Sequence, residues 1–330
     1  FEDGLIHPET LIDDRPVRYG SYTPENFDLT FQGTVTVRRA LQFSLNVPAI
    51  AVLDKVGVNR LAARLEEARA GLVLPAGEAP GLAMGLGGVG IRLSDLTMLY
   101  AGLARLGDVA PLIERQGQAA AAGHRLLDPV AAWYVGNVLI GAPPPDNAPP
   151  GRIAFKTGTS YGYRDAWAVG FDGRMTIGVW VGRPDGAPVP GLYGRGSAAP
   201  ILFDAFARAG GATALPRAPK GVVYATTNKL PPPLQRFVAD GATGAKSAPP
   251  RIMFPPDGSR IELAKGAAPD RVALKISGGA APLTVMVNGV PLPPQDGRRM
   301  FFFAPDGPGF ARLTVMDARG VTDSVSVRLQ

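Results

Sequence analysis

Two short runs of polar residues have the types and spacing that acyl chemistry uses. Lys156-Thr157-Gly158-Thr159-Ser160 sets an amine beside three hydroxyls and a glycine. Ser44-Leu45-Asn46 sets a hydroxyl two residues from a side-chain amide. Hydroxyls and amines of this kind serve nucleophilic catalysis when one shifts a proton for the other. At average residue frequencies Lys-Thr-Gly followed by Ser or Thr occurs in roughly one chain of this length in a hundred, whereas Ser-x-Asn occurs about once in each. The first run therefore carries most of the weight. The competing reading of the second is an ordinary helix N-cap at Asn46, with Pro48 in the first turn.

The surrounding pattern says which elements must hold these residues. Arg152-Ile153-Ala154-Phe155 alternates like a strand entering a half-buried sheet. Residues 166–171 and 175–181 are two further β-rich runs joined through Asp172-Gly173, a hairpin signal. Lys156 thus falls on the first of three consecutive antiparallel strands, at an edge. Residues 37–43 read as a helix ending just before Ser44, and residues 48–56 as a second that stops at Gly57. A short loop between two helices can present a hydroxyl and an amide rigidly to a cleft. Further helices are expected over 60–70 behind Asn59, 95–106 with Ser94 as N-cap, and 129–140 behind Asp128. Another begins at Ser197-Ala198-Ala199-Pro200, with Leu202, Ala205, Phe206 and Ala209 on one face, and ends at Gly210-Gly211.

In this order the motifs resemble those of a known family. Thr23-Pro24-Glu25-Asn26-Phe27-Asp28, Val35 to Leu41, and Ser44-Leu45-Asn46-Val47-Pro48-Ala49 look like class A penicillin-binding proteins around their Ser-x-Asn motif. Leu82-Ala83-Met84-Gly85-Leu86-Gly87-Gly88 followed by Leu93-Ser94-Asp95-Leu96 is similar to a further landmark, and Lys156 to Ser160 with Asp165-Ala166-Trp167 completes the series. The opening residues 2–10 and the tail beyond 249 are most similar to the 1C type. The resemblance implies an α+β, serine β-lactamase-like transpeptidase domain, with a helical subdomain beside an antiparallel sheet, over residues 1–211. It also implies an immunoglobulin-like β-sandwich over 250–330.

The resemblance further implies a peptidoglycan DD-transpeptidase that cross-links stem peptides through a serine acyl-enzyme and binds β-lactams. Ser44, Asn46 and Lys156 would be catalytic, and Thr157, Gly158, Thr159 and Ser160 would bind substrate. The family's nucleophile, the serine of Ser-x-x-Lys, has no counterpart here: none of the lysines has a serine three residues earlier, Thr226 before Lys229 being a near miss. The expectation is a chain cut just after its nucleophile and inactive alone. A membrane anchor and glycosyltransferase domain are expected upstream in a periplasmic, inner-membrane-anchored protein, with a cell-wall protein as a candidate partner of residues 250–330. Alternatives are a DD-carboxypeptidase or β-lactamase-like hydrolase, which shares the motifs, and a non-catalytic cell-wall binding or scaffold piece.

Composition bounds the remaining classes. The 330 residues leave room for one large domain and one small one. Glycine (42) and proline (33) together make about 23% of the chain, just under the level of low complexity. No run approaches the roughly 18 apolar residues of a membrane span. With no cysteine there is no disulfide or thiolate metal site, and the two histidines, His7 and His124, form no metal motif; no cofactor is expected. The pI of 9.7 and net charge of +6 arise from scattered arginines, with no basic cluster and no interleaved aromatics, which argues against nucleic acid. Gly85 to Gly90 matches G-x-G-x-x-G, but residues 79–84 are too broken for the preceding strand a dinucleotide site needs, so a connector is expected.

From 212 to 249 the chain is rich in Pro, Gly and Ala, with a short strand expected near 221–224, and reads as linker. Beyond it the period becomes two: Val272, Leu274, Ile276; Val285, Val287; Phe301, Phe303; Leu313, Val315; Val325, Val327, Leu329. Asn288-Gly289 marks a hairpin. About seven short strands in about 80 residues suggest the sandwich.

Overall fold

The computed structural model describes residues 1–330 except 75–78, 120, 147, 190, 240–242, 245–248, 262–271, 281, 294–298 and 306. The chain forms two compact units, one of residues 1–14 and 34–240, the other of residues 15–33 and 241–330.

In the first unit, β1 (Leu11–Asp14) pairs with β3 (Gly33–Thr36). The excursion between them, with β2 (Val17–Arg18), belongs to the second unit. Helix α1 (Val37–Gln42) follows directly, capped by Thr36, whose hydroxyl accepts from the Arg39 amide at 3.1 Å. Next come α2 (Asn46–Val56) and α3 (Val58–Glu67), which share Gly57 at φ 90° as the end of one and the start of the other. That shared glycine starts α3 two residues before the expected Arg60. Asn46 is not a cap either: Leu45 holds the cap position and Asn46 is the first helical residue.

Helix α4 (Leu93–Ala104) begins at Leu93, so Ser94 lies inside its first turn instead of capping it. Packing is the reason. A β-carbon on Gly178 would meet the Thr97 hydroxyl at 2.1 Å and Leu93 Cδ1 at 2.9 Å, so α4 is pressed onto the sheet from its first residue. The short pair β4 (Asp108–Val109) and β5 (His124–Arg125) leads to α5 (Pro129–Leu139), where Asp128 caps the amides of Val130 and Ala131.

The central sheet has the order β6 (Ala154–Thr159), β7 (Asp165–Phe171), β8 (Thr176–Gly182), antiparallel throughout. Lys156 lies opposite Val169 and Gly158 opposite Trp167. Ala154, Ala166 and Ala168 are fully buried. Helix α6 (Ala199–Arg208) covers one face through Leu202 and Phe206, with Phe203 edge-on to Phe155 at 5.0 Å. The other face meets α5 through Leu139 and Phe171.

Residues 212–239 differ from the linker expected there, because their polar groups are tied into the first unit. Asp172 accepts from the Thr213 amide and hydroxyl, both at 2.8 Å. The Val223 amide donates to the Tyr134 hydroxyl at 2.8 Å, the Thr227 hydroxyl to the Glu9 carbonyl at 2.7 Å, and the Phe237 amide to the Leu11 carbonyl at 2.8 Å. The expected strand near 221–224 does not form, and the regular pieces here are a short 3-10 turn and α7 (Pro232–Gln235). A proline-rich segment without periodicity can still be ordered when its backbone groups find partners elsewhere. Part of the expected linker, 240–242 and 245–248, lies outside the described residues.

The second unit is a sandwich. Beyond β9 (Thr243–Gly244), which pairs with β2, β10 (Arg251–Phe254), β12 (Val272–Ser277) and β15 (Met300–Phe303) make a three-stranded sheet. The other sheet has the order β11 (Arg260–Ile261), β17 (Thr322–Leu329), β16 (Gly309–Met316), β13 (Thr284–Val287), β14 (Val290–Pro291). The alternating residues form its core: Leu274, Ile276, Leu313 and Val315 are fully buried, and Val285, Val327 and Phe301 nearly so. Asn288 and Gly289 both have positive φ, 51° and 83°, as a two-residue primed hairpin turn requires.

Candidate active site

Ser44 sits at the end of α1 in an unusual backbone state. Its own amide donates to the Leu41 carbonyl at 3.2 Å, and the Leu45 amide donates to the Ala40 carbonyl at 2.9 Å. These two bonds make a Schellman motif with Ser44 in its left-handed position, φ 57°. Glycine normally takes that place because a β-carbon costs about 1 kcal/mol or more there. A serine held in it, exposed, is a local strain that the rest of the motif supports. Asn46 follows as the first residue of α2, half-buried.

Lys156 comes to this serine from the sheet, 112 residues away in sequence. Its ammonium donates to the Ser44 hydroxyl and, at 2.9 Å, to the Thr157 carbonyl. Burial lowers its pKa to about 8. Lysine near neutrality can give up a proton at modest cost, and a serine hydroxyl in contact with it is the natural conduit.

Ser44, Lys156 and Thr157 line one cleft, with Gln42, Phe43, Ala142, Pro143 and Arg195. Gly158 is the next residue of β6 and is exposed. The Thr159 hydroxyl accepts from the Gly194 amide at 3.0 Å, which keeps its hydrogen available as a donor. Ser160 turns away: its hydroxyl donates to Asp165 at 2.7 Å, and Asp165 also accepts from Trp180 Nε1 at 2.8 Å. Ser160 therefore closes the turn between β6 and β7, while Ser44, Lys156 and Thr157 share the cleft.

Sequence reasoning passed over Arg195 and Gln42. The signal for Arg195 was its two flanking glycines. At Gly194 a β-carbon would meet the Gly158 carbonyl at 2.4 Å, so the turn Gly194–Ala198 lies directly on the Lys156 strand. Nothing in the sequence marked Gln42.

Gly85 to Gly90 is confirmed as a connector: Leu82–Leu86 is a 3-10 turn, and Gly85 lets it approach Leu53 and Ile50 of α2. His7 is buried, its Nε2 3.0 Å from the Val223 carbonyl. Among the described residues no group of acidic residues or histidines could hold a metal, and no helix is long and apolar enough to cross a membrane.

Residues 239–328 match the model of the Penicillin-Binding Protein C-terminus Family. Penicillin-binding protein 1C of Escherichia coli K12 is 44% identical over 214 residues, covering 61% of this chain and 27% of that protein. Residues 239–328 therefore carry the C-terminal region of a penicillin-binding protein, and the chain is similar to the C-terminal part of that relative. Penicillin-binding protein 1B of Vibrio cholerae is 30% identical over 218 residues, 56% of this chain and 27% of that protein. The chain thus spans about a quarter of the length of these relatives. Among solved structures, PonA1 from Mycobacterium tuberculosis in complex with penicillin V superposes with a TM-score of 0.56 at 22% identity, covering 69% of this chain and 71% of that one. Penicillin-binding protein 1A from Haemophilus influenzae gives 0.56 at 16% identity, covering 66% and 42%. The α+β fold is that of penicillin-binding transpeptidase domains, followed by a small all-β sandwich.

Proposed function

We propose that this chain supplies the proton-transfer and substrate-binding half of a peptidoglycan DD-transpeptidase that works through a serine acyl-enzyme and is acylated by β-lactams. The observation that carries the reading is the contact between Lys156 and Ser44, made by a lysine whose pKa burial has brought to about 8. In the reaction a serine nucleophile attacks the carbonyl of a D-Ala-D-Ala stem peptide, and the leaving amine must gain a proton. Ser44 hands it over and is replenished from Lys156. Asn46 holds the substrate amide. Thr157 and Thr159 bind the terminal carboxylate, with Lys156 nearby as positive charge. Gly158 lets the substrate backbone pair against the free edge of β6. The Thr159 amide serves as one oxyanion donor, a group worth about 10²–10³ in rate. Ser160 supports the end of the strand through Asp165.

No serine here stands three residues before a lysine, so the nucleophile comes from a Ser-x-x-Lys segment outside this sequence and the chain alone forms no acyl-enzyme. The site faces the periplasm in an inner-membrane-anchored protein, and the immunoglobulin-like second unit binds a cell-wall partner. Incubation with a fluorescent penicillin tests the reading. The chain as given should stay unlabelled, and a chain extended by the Ser-x-x-Lys segment should label one to one. A covalent adduct on Ser44, or an extended chain that folds and stays unlabelled, would refute it. Release of D-Ala with transfer to an added amine, against release to water, separates transpeptidase from carboxypeptidase.

A further inference from the structure

The cleft wall beside Ser44 and Lys156 is held by two side chains that the mechanism does not use. Residues 141–144 form the turn after α5, and its Ala142 is buried in the same core as Phe155. From the α1 side, Gln42 Nε2 donates to the Val138 carbonyl at 2.8 Å. It passes so close that a β-carbon on Gly141 would lie 2.4 Å from it. From the sheet side, Arg195 forks onto two successive carbonyls, Nη1 to Pro143 at 3.2 Å and Nη2 to Pro144 at 3.0 Å. Three consecutive prolines, Pro143 to Pro145, restrict the backbone that receives this fork.

Each clamp stands beside a reacting group. Gln42 is two residues before Ser44, on the last turn of α1. Arg195 belongs to the turn Gly194–Ala198, which is pinned to β6 by the Gly194 amide on Thr159 and by the approach of Gly194 to Gly158. The path from Ser44 through Gln42, the end of α5 at Val138, residues 141–144, Arg195 and β6 to Lys156 closes a ring around the cleft. We infer that residues 141–144 are the spacer that sets the separation of Ser44 and Lys156, with Gln42 and Arg195 as its positioning residues. A misplacement of about 1 Å at such a site costs about 10² in rate, so a spacer fixed at both ends has a clear use. The inference rests on the assignment of Ser44 and Lys156 as the working pair, but its test does not depend on acylation.

The readout is the titration of Lys156 in this chain, followed by competitive amine labelling and mass spectrometry of its peptide. Arg195 lines the same cleft as a cation, so removing it would raise the pKa of Lys156 by charge alone. The deciding variants therefore leave charge unchanged: Gln42→Ala, which removes one clamp, and Gly141→Ala, which displaces it. Arg195→Lys keeps the charge but cannot fork onto two carbonyls. Each should let water reach Lys156 and raise its pKa. A rise of one unit would cut its neutral fraction at pH 8 from about half to about a tenth, a fivefold loss of labelling. Circular dichroism checks that each variant is folded, and failure of one leaves the test to the other two. Unchanged Lys156 titration in the folded variants would overturn the spacer. Failure of penicillin labelling in the extended chain, with this shift observed, would overturn the transpeptidase reading and leave the spacer standing.

Discussion

Each unit seals a carboxylate inside a turn, yet among the described residues only the first unit sets a lysine against a serine. In the first, Asp172 accepts from the amides of Arg174 and Met175 and from both donors of Thr213. In the second, Asp317 accepts from the amides of Ala280, Arg319 and Val321 and from the Arg319 guanidinium. Burial pushes both carboxyl pKa values up, but the donors outweigh it and hold them below the ordinary carboxylate range. Both are saturated, and both fix a loop. Lys156 is the contrast: burial lowers its pKa, no carboxylate offsets that effect among its described bonds, and its partner is a hydroxyl facing a cleft. A saturated buried charge marks structure, whereas a buried charge left ready to lose its proton marks chemistry.

The largest effect should come from breaking the lysine side of that contrast. In a chain extended by the Ser-x-x-Lys segment, Lys156→Met should slow acylation by a fluorescent penicillin by about 10²–10⁴, the usual worth of a positioned proton-transfer group. An acylation rate within a few-fold of the parent would remove Lys156 from the mechanism. The same variant bears on stability. Because the folded pKa of Lys156 lies below the unfolded value, the unfolded chain binds more protons between about pH 8 and 10.4, and this group makes stability rise with pH across that window. Lys156→Met should flatten the rise in thermal melts. The two carboxylates act with the same sign in an acid window: their contribution is present above the unfolded pKa and is lost as pH falls through their depressed folded values.

Next in size is damage to the second unit. Leu313 is fully buried between its sheets, and Leu313→Ala should destabilise that unit by about 2–5 kcal/mol. Calorimetry should show a lowered transition for the sandwich while Lys156 keeps its depressed titration. If Lys156 reverts toward an exposed lysine, the two units do not divide structure and chemistry as the comparison holds.

The smallest effect is the sharpest. Ser44→Gly should stabilise the chain by about 1 kcal/mol, since glycine takes the left-handed position without strain. The same change should abolish proton relay in the extended, nucleophile-containing chain. A chain made more stable and less active by one substitution would show that the serine is kept there for its hydroxyl. A destabilised Ser44→Gly would show instead that the hydroxyl is structural.

Local signals in the sequence were enough to find the strand carrying Lys156, the loop carrying Ser44 and the alternation that makes the sandwich core. Each depends on a period or a residue preference acting over fewer than about ten residues, which a single sequence displays directly. Helix starts were less legible. Ser94 and Asn59 are good caps by type, but packing of Leu93 against Gly178 and the shared Gly57 moved both starts upstream. Residues 212–239 read as linker because their order comes from partners such as Asp172, Tyr134 and Glu9, far away in sequence.

Composition and pattern by themselves determined that the chain holds a Lys-Thr-Gly strand, a Ser-x-Asn loop and a β-rich tail, because backbone preference and side-chain alternation are local. Only the tertiary structure decided that Lys156 reaches Ser44 across 112 residues, that Gln42 holds the end of α5 and Arg195 the turn after it, and that residues 15–33 group with the tail. Those facts depend on which surfaces exclude water together and which buried donors meet which acceptors. Such pairings are settled by the packed whole, since no short stretch contains both partners.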